Sequence, residues 1–252
     1  MLDPAEETAV ADKFGVARPQ VRRDHLISHL LAALSARAAD QVVFFGGTAL
    51  SRTFLPDGRL SEDIDLIAVN DRRSAAEAVT DCLVRGVRRE YPGLRWEPLL
   101  TTVRDTEPAV LISQDGLTVR VQLLSATGYP PWPTEQRQLV QRYSDAPPAT
   151  LTVLTLPAFV AAKIMAWVDR ATPRDLYDLW LLTQRGPFDD AGLFARYGQT
   201  GRPPTGALFT TAPDETRWRQ ELSGQTRLEI TAAEALNAVR EAFEQASPTA
   251  RS

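Results

Sequence analysis

The chain contains very little cysteine, because Cys82 is the only one among its 252 residues. An intrachain disulfide is therefore excluded, and the composition is typical of a protein in a reducing compartment. The sequence also lacks any apolar run near the roughly 20 residues that a helix needs to cross a bilayer. The first fifteen residues are acidic and do not show the basic-then-apolar order of a secretory signal. We therefore expect a cytoplasmic protein with no membrane partner.

The chain also has a small net charge and few lysines. The 28 basic and 32 acidic residues leave a net charge of -4, which does not indicate a nucleic-acid binder and does not exclude a local basic patch. Only Lys13 and Lys163 are lysines, and every other basic residue apart from the histidines is an arginine. Lys163 lies in the apolar stretch FVAAKIMAW. Either its compact ammonium group has a specific role there, or it is a surface lysine whose aliphatic stem lies along apolar surface.

Apolar periodicity predicts an α+β fold with a strand-rich first half and a helical second half. The proline-rich stretch 129–148 is the candidate linker, which gives domains at residues 1–148 and 149–252. The first would be a core with a mixed sheet and an N-terminal helix, and the second a helical domain that completes an active-site cleft. Strands are predicted at 41–45, 63–69, 109–113 and 117–125, and helices at 18–39, 48–55, 74–91, 157–170, 174–184 and from 231.

Two aspartates stand at the start of the predicted strand DIDLIAV. Residues two apart in a strand point to the same face, so Asp63 and Asp65 bring two carboxylates together. Two such charges repel unless a cation lies between them, and Mg²⁺ suits one or two carboxylates together with phosphate oxygens. The spacing therefore predicts a magnesium site, with two solvated acids as the alternative.

The pair Gly46-Gly47 follows the strand QVVFF and leads into a short helix. Free backbone N–H groups and the helix dipole favour a phosphate at such a turn, and Thr48 can add a hydroxyl. The chain has no GxxxxGK[ST], so it is not a P-loop protein, and no GxGxxG follows the strand. A glycine pair alone is often only a turn. Together with the aspartates some fifteen residues later, it predicts a site for a nucleoside triphosphate.

The ordered motifs GGTALSR, RLSEDIDL, Lys163 and RDLYDLW resemble those of the AbiEii/AbiGii toxin family over residues 42–182. These are nucleotidyltransferases of the polymerase-β-type superfamily, found in bacterial toxin–antitoxin and phage-defence systems. The resemblance implies a polymerase-β-type core, Mg²⁺, a nucleoside-triphosphate donor, a cognate antitoxin and, in some members, transfer of nucleotides to tRNA. It assigns the phosphate turn to Gly46, Gly47 and Thr48, the metal ligands to Asp63 and Asp65, and further catalytic roles to Lys163 and Asp175.

One position departs from the superfamily pattern. Enzymes of this superfamily often carry a third carboxylate on a later strand, where this chain has VRVQLL. The residues available there are Arg120 and Gln122, neither of which is an anionic ligand. A two-metal mechanism with three carboxylates on the sheet is therefore in doubt. Either Asp175 takes part of that role or one metal suffices.

In the second half, Lys163 is the candidate contact to the triphosphate, as a point charge. Asp175 is the candidate catalytic acid or base. Its position three residues after Thr172 also suits a helix cap, and a pure cap would tolerate Asn. Asp178, one turn further along, is predicted to be a salt-bridge partner.

Weaker candidates lie elsewhere in the chain. His25 and His29 have the i, i+4 spacing of zinc ligands, but without a third ligand nearby ordinary helix histidines are favoured. Arg52 and Arg174 are possible phosphate contacts. Base stacking and core packing are the two alternatives for three tryptophans, Trp132, Trp180 and Trp218.

The leading functional hypothesis is a Mg²⁺-dependent nucleotidyltransferase, the toxin of a toxin–antitoxin pair, that transfers NMP from NTP to an RNA acceptor such as the tRNA 3′ end. A second hypothesis is transfer to a small molecule such as an aminoglycoside, which the acidic net charge favours slightly. The third is a binding module that has lost catalysis, which the missing sheet carboxylate favours.

Overall fold

The computed structural model describes residues 1–186, 188 and 206–246. The chain divides after Leu154 into two compact units, Met1–Leu154 and Thr155–Ser252. No helix in the described part of the chain is both long and apolar enough to span a bilayer.

Four helices lie in the first unit: α1 (Pro4–Phe14), α2 (Arg18–Arg37), α3 (Gly46–Thr53) and α4 (Arg72–Gly86). The sequence prediction missed α1. Its local signals are nevertheless clear, because Asp3 caps its N terminus, Pro4 follows at the first helical position and Gly15 ends it with a φ of 65°. In α2, one face is completely buried through Leu26, Leu30 and Leu34.

Within the described residues, seven strands form one mixed sheet in the order β3-β4-β5-β2-β1-β7-β6. Strand β2 lies between β1, which runs antiparallel to it, and β5, which runs parallel. The predicted hairpin between β4 and β5 is confirmed. The strands are β1 (Val42–Phe45), β2 (Asp63–Ala68), β3 (Arg95–Trp96), β4 (Ala109–Ile112), β5 (Thr118–Leu124), β6 (Thr134–Gln138) and β7 (Thr150–Leu154).

The stretch predicted as a linker is instead part of the first unit. Strand β6 lies inside it, and β7 follows directly, pairing with β6 on one side and with β1 on the other. The division after Leu154 therefore falls six residues beyond the predicted boundary. The prolines misled the prediction, because they flank β6 rather than separate two domains.

The second unit is helical in its described part, as predicted. It contains α5 (Leu156–Arg170), α6 (Pro173–Thr183), a short 3₁₀ helix (Gly206–Leu208), α7 (Glu215–Leu222) and α8 (Ala232–Ala246). Helix α6 packs against α5, α7 and α8. The capping box predicted at the last helix is present, because Thr231 and Glu234 each accept a hydrogen bond from the other's backbone N–H.

Candidate active site

Asp63 and Asp65 lie on one face of β2, as the strand period requires. Both are half-buried, whereas the alternating Ile64 and Leu66 are fully buried on the opposite face. The strand is internal to the sheet, and hydrogen bonds to both neighbours therefore fix its backbone. The two carboxylates offer hard oxygen donors from adjacent same-face positions, which fits Mg²⁺ by donor chemistry.

The register of β5 identifies the residues beside the aspartate pair. Arg120 is the partner of Asp63, and Gln122 is the partner of Asp65. Register partners share a face of the sheet, and these two positions therefore hold a cation and an amide where a third carboxylate would stand. The Gln122 amide donates to the backbone carbonyl of Asp105 at 3.2 Å. The register therefore places the two residues named from the sequence, Arg120 and Gln122, beside the aspartate pair.

The glycine pair forms the first turn of α3, two residues before the predicted start at Thr48. Phe45 occupies the N-cap position and makes no side-chain cap, since its ring has no acceptor. The amides of the first turn therefore lack the side-chain acceptor that Asp3 or Thr155 gives to α1 or α5. An uncapped helix N terminus beside a strand end can accept an anionic group.

Gly46 brings the turn and the aspartate pair into contact. It has a φ of 78°, and a β-carbon built on it would fall on the Asp65 carboxylate. Phe45, the preceding residue, is the register partner of Asp65 on β1. A residue with a side chain is thus disfavoured here both by the backbone conformation and by the space available.

Arg59 and Ser61 are residues at the turn that the sequence reasoning did not single out. Both are buried, and a β-carbon on Gly47 would lie 2.5 Å from Arg59 Nη2 and 3.3 Å from Ser61 Oγ. A guanidinium against the first turn of a helix adds positive charge where an anion is expected. The motif RLSEDIDL contains both residues, so their proximity to the aspartates in sequence was the available signal.

Thr48 is buried, and its hydroxyl donates to the backbone carbonyl of Asp63. The contact ties the start of α3 to the start of β2. It gives the hydroxyl a positioning role, and a contact between Thr48 and phosphate stays a prediction.

Arg52 is a core residue in this structure. It is fully buried, and its guanidinium donates to the Asp24 carboxylate at 2.8 Å and to the Val140 carbonyl at 3.1 Å. Burial lowers the pKa of Arg52 to about 10, and Asp24 opposes that effect. These contacts join α2 and α3 to the segment after β6, so the suggested phosphate contact is replaced by a structural role. Arg174 lies 3.7 Å from Glu221 in the second unit.

In the second unit, Lys163 forms a buried ion group with two aspartates. Its ammonium lies 3.2 Å from Asp175 Oδ1 and 2.6 Å from Asp178 Oδ2. Lys163 is 7% exposed, which excludes the alternative of a lysine lying on the surface. The salt bridge predicted for Asp178 is present.

Asp175 accepts hydrogen bonds from several donors at once. Both Arg170 contacts are short, at 2.7 and 2.9 Å, and the Thr172 hydroxyl donates at 2.6 Å. Burial raises the pKa of Asp175, but the charge of Lys163 and the Arg170 and Thr172 hydrogen bonds outweigh it and hold that pKa below its usual range. A carboxylate with a depressed pKa is a weak proton acceptor near neutrality.

Two of the three candidate tryptophans are core residues. Trp132 and Trp218 are buried, and the Trp218 indole donates to the Ile230 carbonyl at 2.9 Å, as a core residue does. Trp180 is half-buried beside Tyr177, with ring centroids 5.3 Å apart.

A half-buried aromatic pair lies beside Asp65 instead. Phe45 is the register partner of Asp65, and its ring centroid is 5.6 Å from that of Tyr129.

Comparison with known proteins identifies relatives of this fold. The model of the family described as "Nucleotidyl transferase AbiEii toxin, Type IV TA system" matches residues 29–247. A similar solved structure is MenT4, the nucleotidyltransferase toxin Rv2826c from Mycobacterium tuberculosis H37Rv. It has 23% identity and a TM-score of 0.72, over 94% of this chain and 88% of that one. A solved structure from H. pylori has 14% identity and a TM-score of 0.53, over 92% of this chain and 97% of that one. No curated protein matches the sequence.

Proposed function

The chain belongs to the AbiEii nucleotidyl transferase toxin family of type IV toxin–antitoxin systems, and from this premise we propose that it transfers NMP from a nucleoside triphosphate to an RNA 3′ end. tRNA is the proposed acceptor, Mg²⁺ the proposed metal and a cognate antitoxin the proposed partner. The family is one of nucleotidyltransferases, and the mixed α+β fold of this chain agrees with that membership.

The observation that carries the proposal is the contact between Gly46 and Asp65. It joins an uncapped helix N terminus to a same-face pair of carboxylates within one sheet. Such an arrangement offers donors for phosphate oxygens and acceptors for a divalent cation side by side. This pairing is what a triphosphate with its metal requires.

Each residue of the first unit has a specific role in the proposal. Asp63 and Asp65 would hold Mg²⁺, which when bound neutralises charge on the triphosphate. The first-turn amides of α3 would bind phosphate oxygens, and the Arg59 guanidinium would add charge there. Holding the α-phosphate in line with the acceptor hydroxyl would then account for most of the catalysis, with pyrophosphate as the leaving group.

The roles of Lys163 at the triphosphate and of Asp175 as acid or base stay predictions from the family resemblance. The contacts within the second unit favour a positioning role for Asp175. Its carboxylate fixes the Lys163 ammonium, and its low proton affinity suits an ion-pair partner better than a base.

RNA is preferred over a small-molecule acceptor on the strength of family membership, because the matching family consists of toxins. An RNA acceptor also suits a chain whose basic residues are almost all arginines, the side chain that binds phosphate bidentately.

The test is transfer of label from each α-labelled NTP, with total tRNA or a panel of aminoglycosides as acceptor. We expect label in tRNA with Mg²⁺ and none with excess EDTA. Asp63→Asn and Asp65→Asn should each lower the rate roughly 100-fold or more, because each removes an anionic ligand. Asp81→Asn, on the exposed face of α4, is the matched control and should transfer at the wild-type rate. Label in the aminoglycosides alone, or full activity in both aspartate variants, would contradict the proposal.

A further inference from the structure

The only two histidines of the chain meet a distant aspartate at one point of the first unit. His25 and His29 lie one turn apart on α2, and both are buried. The connection between β6 and β7 brings Asp145 to them, and its carboxylate is 3.0 Å from His25 Nε2. The third ligand that local sequence could not supply is therefore provided 116 residues after His29.

The three nearest donor atoms form a triangle of suitable size for a small divalent cation. His25 Nε2 and His29 Nε2 are 3.3 Å apart, and Asp145 Oδ1 lies 3.0 Å from the first and 3.6 Å from the second. Zn²⁺ binds such atoms at about 2.0–2.1 Å, so two ligands of a tetrahedral site are roughly 3.3–3.4 Å apart. The observed sides bracket that value.

The protonation states also suit a metal. Burial lowers the pKa of both His25 and His29, which favours the neutral imidazole, the form of histidine that binds a metal ion. Burial raises the pKa of Asp145, but hydrogen bonds from the Met1 amine and His25 outweigh it and lower that pKa to about 2. The Met1 amine contacts Oδ2, and Oδ1 is the oxygen nearer to His25, at 3.0 Å from Nε2 compared with 3.2 Å for Oδ2.

A second layer of contacts orients His25. Its Nδ1 lies 2.5 Å from the Tyr91 hydroxyl, and burial raises the pKa of Tyr91, so the phenol stays protonated. A histidine that binds metal through Nε2 commonly makes such a hydrogen bond through Nδ1. The Tyr143 ring packs edge-on against the His25 imidazole, with centroids 4.9 Å apart.

From this geometry we infer that His25, His29 and Asp145 form a zinc site distinct from the Asp63 and Asp65 pair. Two imidazoles and one carboxylate select zinc over Mg²⁺, which prefers oxygen donors alone. Asp145 is 25% exposed, which gives a water molecule access as the fourth ligand. The site fastens the β6–β7 connection to α2, and its role is to stabilise the first unit.

The experiment is a zinc titration of the metal-stripped full chain by calorimetry, with Mg²⁺ present in excess to fill the aspartate pair. We expect one equivalent of Zn²⁺ to bind and the melting temperature to rise with zinc. His29→Gln and Asp145→Asn should each weaken zinc binding at least about 10-fold, as loss of a ligand does. The double variant Asp63→Asn/Asp65→Asn is the matched control and should still bind one equivalent.

Cobalt provides a second measurement on the wild-type chain, in case a ligand variant fails to fold. A Co²⁺-loaded protein should show the intense visible absorption of a tetrahedral site, and added Zn²⁺ should remove it. Absence of zinc binding would mean a hydrogen-bonded cluster only and would overturn the inference. Unchanged binding in a folded His29→Gln variant, or loss of binding in the aspartate double variant, would place the metal elsewhere and would also overturn it.

Discussion

At the scale of single residues, Gly46 is the most constrained position of the candidate site. Gly46→Ala would strain the backbone at a φ of 78° and would set a methyl group on the Asp65 carboxylate. We expect a loss of about 1–2 kcal/mol in the free energy of unfolding from the backbone. We also expect a much larger fall in kcat/KM for nucleotidyl transfer, because the displaced carboxylate belongs to the metal pair.

Gly116 provides the matched control for this prediction. Its φ is 84°, but nothing lies within 4 Å of the position that a β-carbon would take. Gly116→Ala should therefore cost similar stability and leave kcat/KM unchanged. Equal activity losses in the two variants, measured by chemical denaturation and single-turnover assays, would show that backbone strain alone explains Gly46.

Asp175 gives a second prediction, on stability. A pure helix cap would tolerate Asn, but Asp175 also accepts charged hydrogen bonds from Lys163 and Arg170. Asp175→Asn turns one acceptor into an NH₂ donor facing these cations and leaves Lys163 short of one counter-charge. We expect about 3 kcal/mol of destabilisation at neutral pH, since removing one partner of a buried ion group is costly. Asp169→Asn, at an exposed position in the last turn of α5, is the control and should cost almost nothing.

The same carboxylate makes stability depend on pH in the acid range. The pKa of Asp175 is lower in the folded chain than its unfolded value of about 4, so the unfolded chain binds more protons as the pH falls below that value. Its stabilising contribution is complete above about pH 5 and is lost progressively in acid. Urea titrations from pH 6 to pH 3 should show a shallower loss of stability in Asp175→Asn than in the wild type. Parallel curves would contradict this account.

The residues of the candidate site were predictable to the extent that they are close in sequence. Asp63 and Asp65 follow from the strand period, and Gly46-Gly47 from a strand that ends at a helix. The contact between Gly46 and Asp65 depends on the pairing of β1 with β2, which periodicity does not reveal. Asp145 beside His25 depends on contacts across 120 residues, and for that reason the histidines looked ordinary from the sequence.

At the scale of elements, strong local signals predicted β1, β2, β4 and β5 and most of the helices. Strand β6 was missed because TEQRQ is polar at every position and the burial of such an edge strand alternates only weakly. Strand β7 has the apolar alternation of a strand, with Leu151 and Val153 buried. The prolines before it led to its assignment to the second domain.

The position of β7 makes a prediction about truncation. Strand β7 lies between β1 and β6 and pairs with each of them. A fragment that ends at residue 148 therefore lacks β7. We expect fragment 1–154 to be monomeric and to unfold cooperatively, and fragment 1–148 to aggregate or unfold without a cooperative transition. Circular dichroism during heating and analytical ultracentrifugation would check this. Equal cooperativity in the two fragments would show that β7 is dispensable.

At the scale of the whole molecule, the proposed roles divide between the two units. The phosphate turn and the aspartate pair lie before residue 154, and Lys163 and Asp175 lie after it. If the first unit holds the metal and the triphosphate by itself, nucleotide binding will not need the second unit, whereas nucleotide transfer will. The family resemblance assigns a role in transfer to the motifs of the second unit.

We therefore predict that fragment 1–154 binds NTP with Mg²⁺ but does not transfer nucleotide. NTP with Mg²⁺ should raise its melting temperature, since a ligand that binds only the folded state stabilises it. Asp63→Asn should abolish that rise, and Asp81→Asn should not. Label transfer to tRNA should stay at background in the fragment and be present in the full chain under identical conditions. Transfer by the fragment at the full-chain rate would contradict the prediction, because Lys163 and Asp175 would then serve only to stabilise the second unit through their buried ion group.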